Sequence, residues 1–73
     1  MEISYNKLWK LLIDKGINKS QLRERTGIGS STIAKMGKNQ QVSMDVLLKV
    51  CSALGCNISD ICEFIDKSEE IKR

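Results

Sequence analysis

The sequence predicts a compact all-α domain of five helices, and three observations support this prediction. Apolar residues recur at helical spacing along most of the chain. Glycines stand just beyond the ends of several predicted helices, where a left-handed backbone commonly ends a helix. No alternation of apolar and polar residues is sustained long enough to indicate a strand. With 73 residues and no proline, the chain has the length of one domain.

The first predicted helix covers about residues 5–15. Ser4 is its expected N-cap, and Gly16 is expected to end it. Its apolar positions span more than half of the helical circumference, which is wider than one core contact requires. One edge of this face has two interpretations: part of the core, which we favour, or a contact with the C-terminal helix or a second subunit. This edge consists of Tyr5, Trp9 and Ile13.

The segment NKSQLRERTGIGSSTIAKMGKN predicts two short helices joined by a tight turn. Asn18 is expected to accept a hydrogen bond from the amide of Gln21, whose side chain reaches back as in a capping box. Gly27 supplies the positive φ that the turn needs. Ser30 or Ser31 is expected to cap the second helix. This arrangement is typical of a helix-turn-helix, whose second helix enters the DNA major groove.

The fourth predicted helix covers residues 44–54 and lies between a capping serine, Ser43, and a terminating glycine, Gly55. Asn57 or Ser59 is then expected to cap a short fifth helix. That helix would contain the apolar residues Ile58, Ile61, Cys62, Phe64 and Ile65.

The charge of the chain is unevenly distributed. Residues 1–42 hold eight basic and three acidic side chains, a net charge of +5, whereas residues 43–73 hold four basic and six acidic ones, a net charge of −2. A basic half that carries the helix-turn-helix suits a protein that presents one side to phosphates. The alternative to a phosphate-binding side is a lysine-rich face that contacts only solvent.

We place the domain in residues 1–66 and expect the charged residues 67–73 to fray.

Three cysteines, Cys51, Cys56 and Cys62, raise the question of a metal site. Their spacing contains no C-x2-C pair, and the chain has no histidine, so we expect reduced thiols packed as small apolar groups. An odd number of cysteines agrees with a reducing compartment. No apolar run approaches the roughly 20 residues of a membrane span, and no secretory signal is recognisable. We therefore expect a cytoplasmic protein that makes no membrane contact.

Two blocks, INKSQLRERTGIGSSTIAKM and VSMDVLLKVCSALGCNISDI, resemble the Cro and phage-repressor type (lambda repressor-like) of helix-turn-helix transcriptional regulators. The resemblance covers about residues 4–65. It departs from the usual pattern at an alanine of the second helix, replaced here by Arg23, at an ion pair, replaced by Leu12 and Gly37, and at a turn glycine, replaced by Asn39. The matching core and turn positions are Leu22, Gly27, Ile28, Ile33, Met36, Leu47, Ala53, Leu54 and Gly55.

The resemblance also implies which residues contact DNA. The recognition helix, about residues 30–38, would lie in the major groove. The implied base contacts are Ser30, Ser31, Thr32 and Lys35. The implied phosphate contacts are Lys19, Gly29, Lys38, Asn39, Gln40, Gln41 and Lys10. For each of these residues, the alternative is an exposed polar side chain with no partner but water.

We therefore expect a small regulator, acting as a repressor, whose partner is double-stranded DNA. A homodimer formed through the apolar surface of the first and fifth helices would place two recognition helices on one site. We expect no cofactor, no metal, no small-molecule effector and no catalysis, since no catalytic group of residues can be named. The alternative is a protein-interaction module of the same fold, resembling an antitoxin or an inhibitor, as the wide apolar face of the first helix suggests.

Overall fold

A computed structural model describes residues 1–66, so the expectation that residues 67–73 fray lies outside the described part of the chain. In chain order the elements are strand β1 (Glu2–Ser4), helices α1 (Asn6–Lys15), α2 (Lys19–Thr26), α3 (Ser30–Gly37) and α4 (Met44–Leu54), a 3₁₀ turn (Ile58–Asp60) and strand β2 (Glu63–Ile65). The architecture of residues 1–66 is thus four α-helices with a small antiparallel sheet.

Helix α1 ends where the sequence predicts and begins one residue later. Gly16 adopts the left-handed conformation, with φ of 67°, and its N–H donates to the carbonyl of Ile13 at 3.1 Å. The prediction that Ser4 is the N-cap is wrong, because Tyr5 occupies that position and Ser4 belongs to β1. The Ser4 hydroxyl nevertheless accepts a long hydrogen bond, 3.4 Å, from the backbone N–H of Asn6.

The predicted start of α2 is confirmed. Asn18 Oδ1 accepts from the Gln21 N–H at 2.8 Å, and Gln21 Oε1 accepts from the Asn18 N–H at 2.9 Å, which completes the capping box. The turn after α2 is fixed by Gly27, whose φ is 74° and whose N–H donates to the carbonyl of Arg23 at 2.7 Å. Thr26 supports the same turn, since its hydroxyl donates to a backbone carbonyl of α2 at 2.7 Å.

Helix α3 begins without a side-chain cap. The prediction that Ser30 or Ser31 caps it is wrong, because Gly29 is the N-cap residue and both serines lie inside the first turn. Helix α4 is as predicted at both ends: Ser43 Oγ accepts from the Val46 N–H at 3.3 Å, and the left-handed Gly55 follows the last turn.

The predicted fifth helix is wrong, and the all-α assignment is corrected with it. Its residues form the 3₁₀ turn and then β2, which pairs antiparallel with β1, so that Ile3 lies opposite Phe64. A helix this short forms too few hydrogen bonds to offset the entropy lost when its first turn is ordered. Apolar β-branched and aromatic side chains suit a strand, and here the N-terminal segment supplies the partner. Pairing between the two ends of the domain therefore overrides the local pattern.

The core lies between the four helices and one side of the sheet. The predicted edge of α1 divides: Tyr5 is fully buried, Trp9 is half-buried, and Ile13 is 77% exposed. The core interpretation therefore holds for Tyr5 and in part for Trp9, which packs against the core, but not for Ile13. The buried apolar residues are Tyr5, Leu8, Leu12, Ile17, Leu22, Ile28, Ile33, Met36, Leu47, Val50, Leu54 and Ile61.

The three cysteines are free thiols, each half-buried at the edge of the core, as expected for small apolar groups. Within residues 1–66, no three cysteine or acidic side chains converge into a group that could hold a metal ion. In the same part of the chain, none of the helices has the length and apolar content needed to cross a bilayer.

Two glycine-to-alanine substitutions should change stability in opposite directions. Gly27→Ala forces an L-residue into a left-handed φ, so we expect the free energy of unfolding to fall by about 1 kcal/mol. Gly37→Ala places a methyl group in ordinary contact, 4.0 Å from Lys19 Nζ, and should raise it by about 0.5 kcal/mol. Urea unfolding of both variants checks this, and equal shifts of the same sign would contradict it.

Candidate nucleic-acid interface

Helix α3 has one buried side and one exposed side. Ile33 and Met36 are buried in the core, which fixes the rotation of the helix about its axis. The four predicted base-contact residues lie on the rest of its surface: Ser30, Ser31 and Lys35 are exposed, and Thr32 is half-buried. Because α3 lacks a side-chain cap, the hydroxyls of the two serines are not used to close its first turn.

The C-terminal flank of α3 turns through a left-handed residue. Asn39 has a φ of 56°, which agrees with its position as a substitute for the usual turn glycine. Its N–H donates to the carbonyl of Met36 at 3.1 Å, and the Gln40 N–H donates to the carbonyl of Lys35 at 2.9 Å. The side chains of Lys38, Gln40 and Gln41 are exposed along this turn, whereas Asn39 is half-buried.

Tyr5 holds this flank from inside the core. Its backbone N–H donates to Asn39 Oδ1 at 3.3 Å, and its hydroxyl donates to the carbonyl of Gln40 at 2.9 Å. Sequence reasoning missed this contact. A signal was present, because a tyrosine on an apolar helix face needs a hydrogen-bond partner for its hydroxyl once it is buried.

Burial raises the pKa of the Tyr5 hydroxyl above its ordinary value. The neighbouring Cys62 acts in the same direction, and a backbone hydrogen bond from Val42 acts in the opposite one. The protonated phenol is therefore the form that the folded protein favours, and it is the form that donates to the flank of α3.

Lys19 connects the start of α2 with α1 and with the end of α3. Its ammonium lies 4.6 Å from the centroid of the Trp9 ring, which is a cation–π geometry. The same nitrogen is 4.0 Å from the position that a Cβ would take at Gly37, the last residue of α3. A positive charge is favoured there, because the C-terminal end of a helix carries partial negative charge.

A shallow cleft of about 410 Å³ lies between α3 and the start of α4. It brings two predicted base contacts, Thr32 and Lys35, beside the predicted phosphate contact Gln41, and it is lined further by Val42, Ser43 and Val46. Ion pairs form elsewhere, between Lys7 and Glu63 at 3.3 Å and between Lys49 and Asp45 at 3.1 Å.

Lys10 is separated from the other predicted contacts. It lines a groove between α1 and the C-terminal end of α4, and none of the other predicted DNA contacts lines that groove. Arg23, which stands at a position where the resemblance implies a small residue, is exposed, so its side chain runs along the surface rather than between α2 and α3.

Comparison with known proteins agrees with the helix-turn-helix fold. A family model described as a Cro/C1-type helix-turn-helix DNA-binding domain matches residues 7–67. The chain is also similar to the crystal structure of the transcriptional regulator VanUg, form II, with a TM-score of 0.82 and 55% sequence identity over 85% of this chain and 83% of that one. A search of curated proteins finds no match.

Replacing Tyr5 with phenylalanine tests its hold on the flank. Tyr5→Phe removes one hydrogen bond, so we expect the free energy of unfolding near neutral pH to fall by about 1 kcal/mol. Because folding raises the pKa of Tyr5, this group adds to the free energy of unfolding. That contribution is fully present below about pH 10 and is lost as the pH rises through the folded-state pKa. The variant should therefore lose less stability than the wild type in that alkaline range, as measured by urea unfolding across pH.

Gln40→Ala is the matched control, because it removes a side chain but keeps the carbonyl that accepts from Tyr5. We expect this control to unfold like the wild type at every pH. An equal loss of stability in both variants would contradict the role assigned to the tyrosine hydroxyl.

Proposed function

The chain belongs to the Cro/C1-type helix-turn-helix DNA-binding family, and from this premise we propose that it is a transcriptional repressor that binds one specific double-stranded DNA sequence. The observation that carries the proposal is the exposed face of α3, whose polar residues stand on a helix fixed by buried Ile33 and Met36. The similarity to a transcriptional regulator supports it. We assign the protein no catalytic activity.

In this proposal α3 lies in the major groove and its exposed residues contact base edges. The Lys35 ammonium donates to O6 or N7 of a guanine, which is a favourable lysine contact. Ser30 and Ser31 donate to or accept from several bases and so select weakly. The methyl group of Thr32 contacts a thymine methyl, and the cleft beside it leaves space for that base.

Phosphates are held on both flanks of α3. At the start of α3, Gly29 lets the DNA backbone come near. At its end, the Lys19 ammonium, which lies beside Gly37, approaches a phosphate together with the backbone amides that begin α2. At that same end, the turn that Tyr5 holds supplies Lys38, Asn39, Gln40 and Gln41. We leave Lys10 out of this interface, because its groove lies between α1 and the end of α4.

We further propose that the protein binds DNA as a homodimer through its sheet. Phe64 is 73% exposed, and with Met1, Ile3 and Val42 it lines an apolar groove of about 390 Å³ beside Gln41. Two copies joined at this groove would bring the C-terminal flanks of their α3 helices close together. This arrangement suits a dimer that sets two recognition helices about 34 Å apart on one face of the DNA. On α1, Leu8 and Leu12 are buried and Trp9 and Leu11 are half-buried, which leaves Ile13 exposed. We therefore move the proposed contact from α1 to β2.

Selection from a random duplex pool tests the proposed function. We expect an enriched, two-fold symmetric site whose affinity falls steeply with salt. Lys35→Ala should lose about 1–3 kcal/mol on that site and relax selection at one position in each half. Lys38→Ala should weaken all sequences alike.

Lys49→Ala is the matched lysine control, since Lys49 lies on α4 and pairs with Asp45, and it should leave both affinity and selection unchanged. A pool without enrichment, bound only at low salt, would contradict the proposal and favour the protein-interaction module.

Replacing the exposed phenylalanine tests the dimer. Phe64→Glu puts two like charges into the proposed contact, so we expect a shift towards monomer in sedimentation equilibrium and a loss of the two-fold symmetric complex. Ile13→Glu, at an equally exposed apolar position on α1, is the control and should stay dimeric. A dimer that Ile13→Glu disrupts and Phe64→Glu leaves intact would place the contact on α1 instead.

A further inference from the structure

Two of the three cysteines meet where α4 ends. The left-handed Gly55 reverses the chain, and the Cys56 N–H then donates to the carbonyl of Cys51 at 3.1 Å. This is the hydrogen bond of a Schellman motif, in which the side chains of the two bonded residues also approach each other. Cys51 also acts to raise the pKa of the Cys56 thiol, which agrees with neighbouring side chains. Two cysteines are thus neighbours across one left-handed turn.

The two thiols differ in access. Cys56 lines the open groove of about 470 Å³ between α1 and the end of α4, and Cys51 does not line it. Both side chains are half-buried. A small reagent in the groove therefore reaches Cys56 first, with Cys51 behind it.

We propose that Cys51 and Cys56 form a thiol-oxidation site that reacts with low-molecular-weight disulfides and closes into an intramolecular disulfide. The proposal is independent of DNA binding, since no residue of α3 lines the groove. We assign Cys62 no part, because it does not line the groove and its sulfur donates to the carbonyl of Ile58 at 3.6 Å.

The reaction consists of two thiol–disulfide exchanges. The Cys56 thiolate attacks one sulfur of the external disulfide, which forms a mixed disulfide and releases one small thiolate that takes up a proton. The Cys51 thiolate then attacks the Cys56 sulfur, which forms the Cys51–Cys56 bond and releases the second small thiol. The protein loses two electrons and two protons, and the external disulfide gains both.

The surroundings of Cys56 set the conditions for this reaction. Burial raises the pKa of its thiol above the ordinary value; Cys51 and Asp60 act in the same direction, and Lys15 acts in the opposite one. Lys7, Lys10 and Asp14 also line the groove. The thiolate is therefore scarce at neutral pH, and the exchange should be faster in mildly alkaline solution.

The test exposes the folded, reduced protein to glutathione disulfide at about pH 8.5 and follows its intact mass. We expect the wild type to pass through a mixed disulfide to a product lighter by about 2 Da, the mass of two hydrogens. Cys62→Ser, the matched control, should do the same. Cys51→Ser should stop at the mixed disulfide, and Cys56→Ser should not yield the lighter product.

Two results would overturn the proposal: a wild type that stops at the mixed disulfide or does not react, and a lighter product in Cys51→Ser. Thermal unfolding supplies a second measurement. A disulfide that fits the folded turn should raise the Tm of the oxidised protein by several degrees, reversibly on reduction. A lower Tm would show that the bond forms only by distorting the turn, and it would likewise overturn the assignment.

Discussion

The arrangement of the proposed DNA surface depends on one buried side chain. Tyr5 joins the start of α1 to the turn after α3 by donating through both its backbone and its hydroxyl. These hydrogen bonds fix a left-handed asparagine that would otherwise cost conformational energy. Ile33 and Met36 set the rotation of α3, and Tyr5 sets the path of the chain that leaves it. The core therefore holds both parts of the proposed DNA surface, the exposed face of α3 and the turn that follows it.

Local chemistry determined most of what the sequence could predict. The capping box of Asn18 and Gln21 and the stop at Gly16 depend on residues within one turn of each other, so the chain pattern was enough. The helix-turn-helix itself was predictable for the same reason. The exposure of Ser30, Ser31 and Lys35 follows from the apolar spacing of α3.

Contacts between distant segments were not predictable in this way. The strand Glu63–Ile65 depends on a partner at the other end of the domain, and its local pattern equally suits a short helix. The hold of Tyr5 on Asn39 is another such contact, as is the position of Lys19 over Trp9. Each joins residues whose proximity depends on how several helices pack together, and the apolar spacing of one helix carries no information about it.

The pairing of β1 with β2 also has a consequence for how the domain folds. The paired residues stand roughly sixty positions apart, whereas the hydrogen bonds of the helices and their caps join near neighbours. Closing so long a loop loses chain entropy before any contact compensates for it. The helices and their turns then form early, and the two-stranded sheet forms last and opens first. Residues of β1 and β2 would exchange their amide hydrogens sooner than those of α4, although both belong to the same small domain.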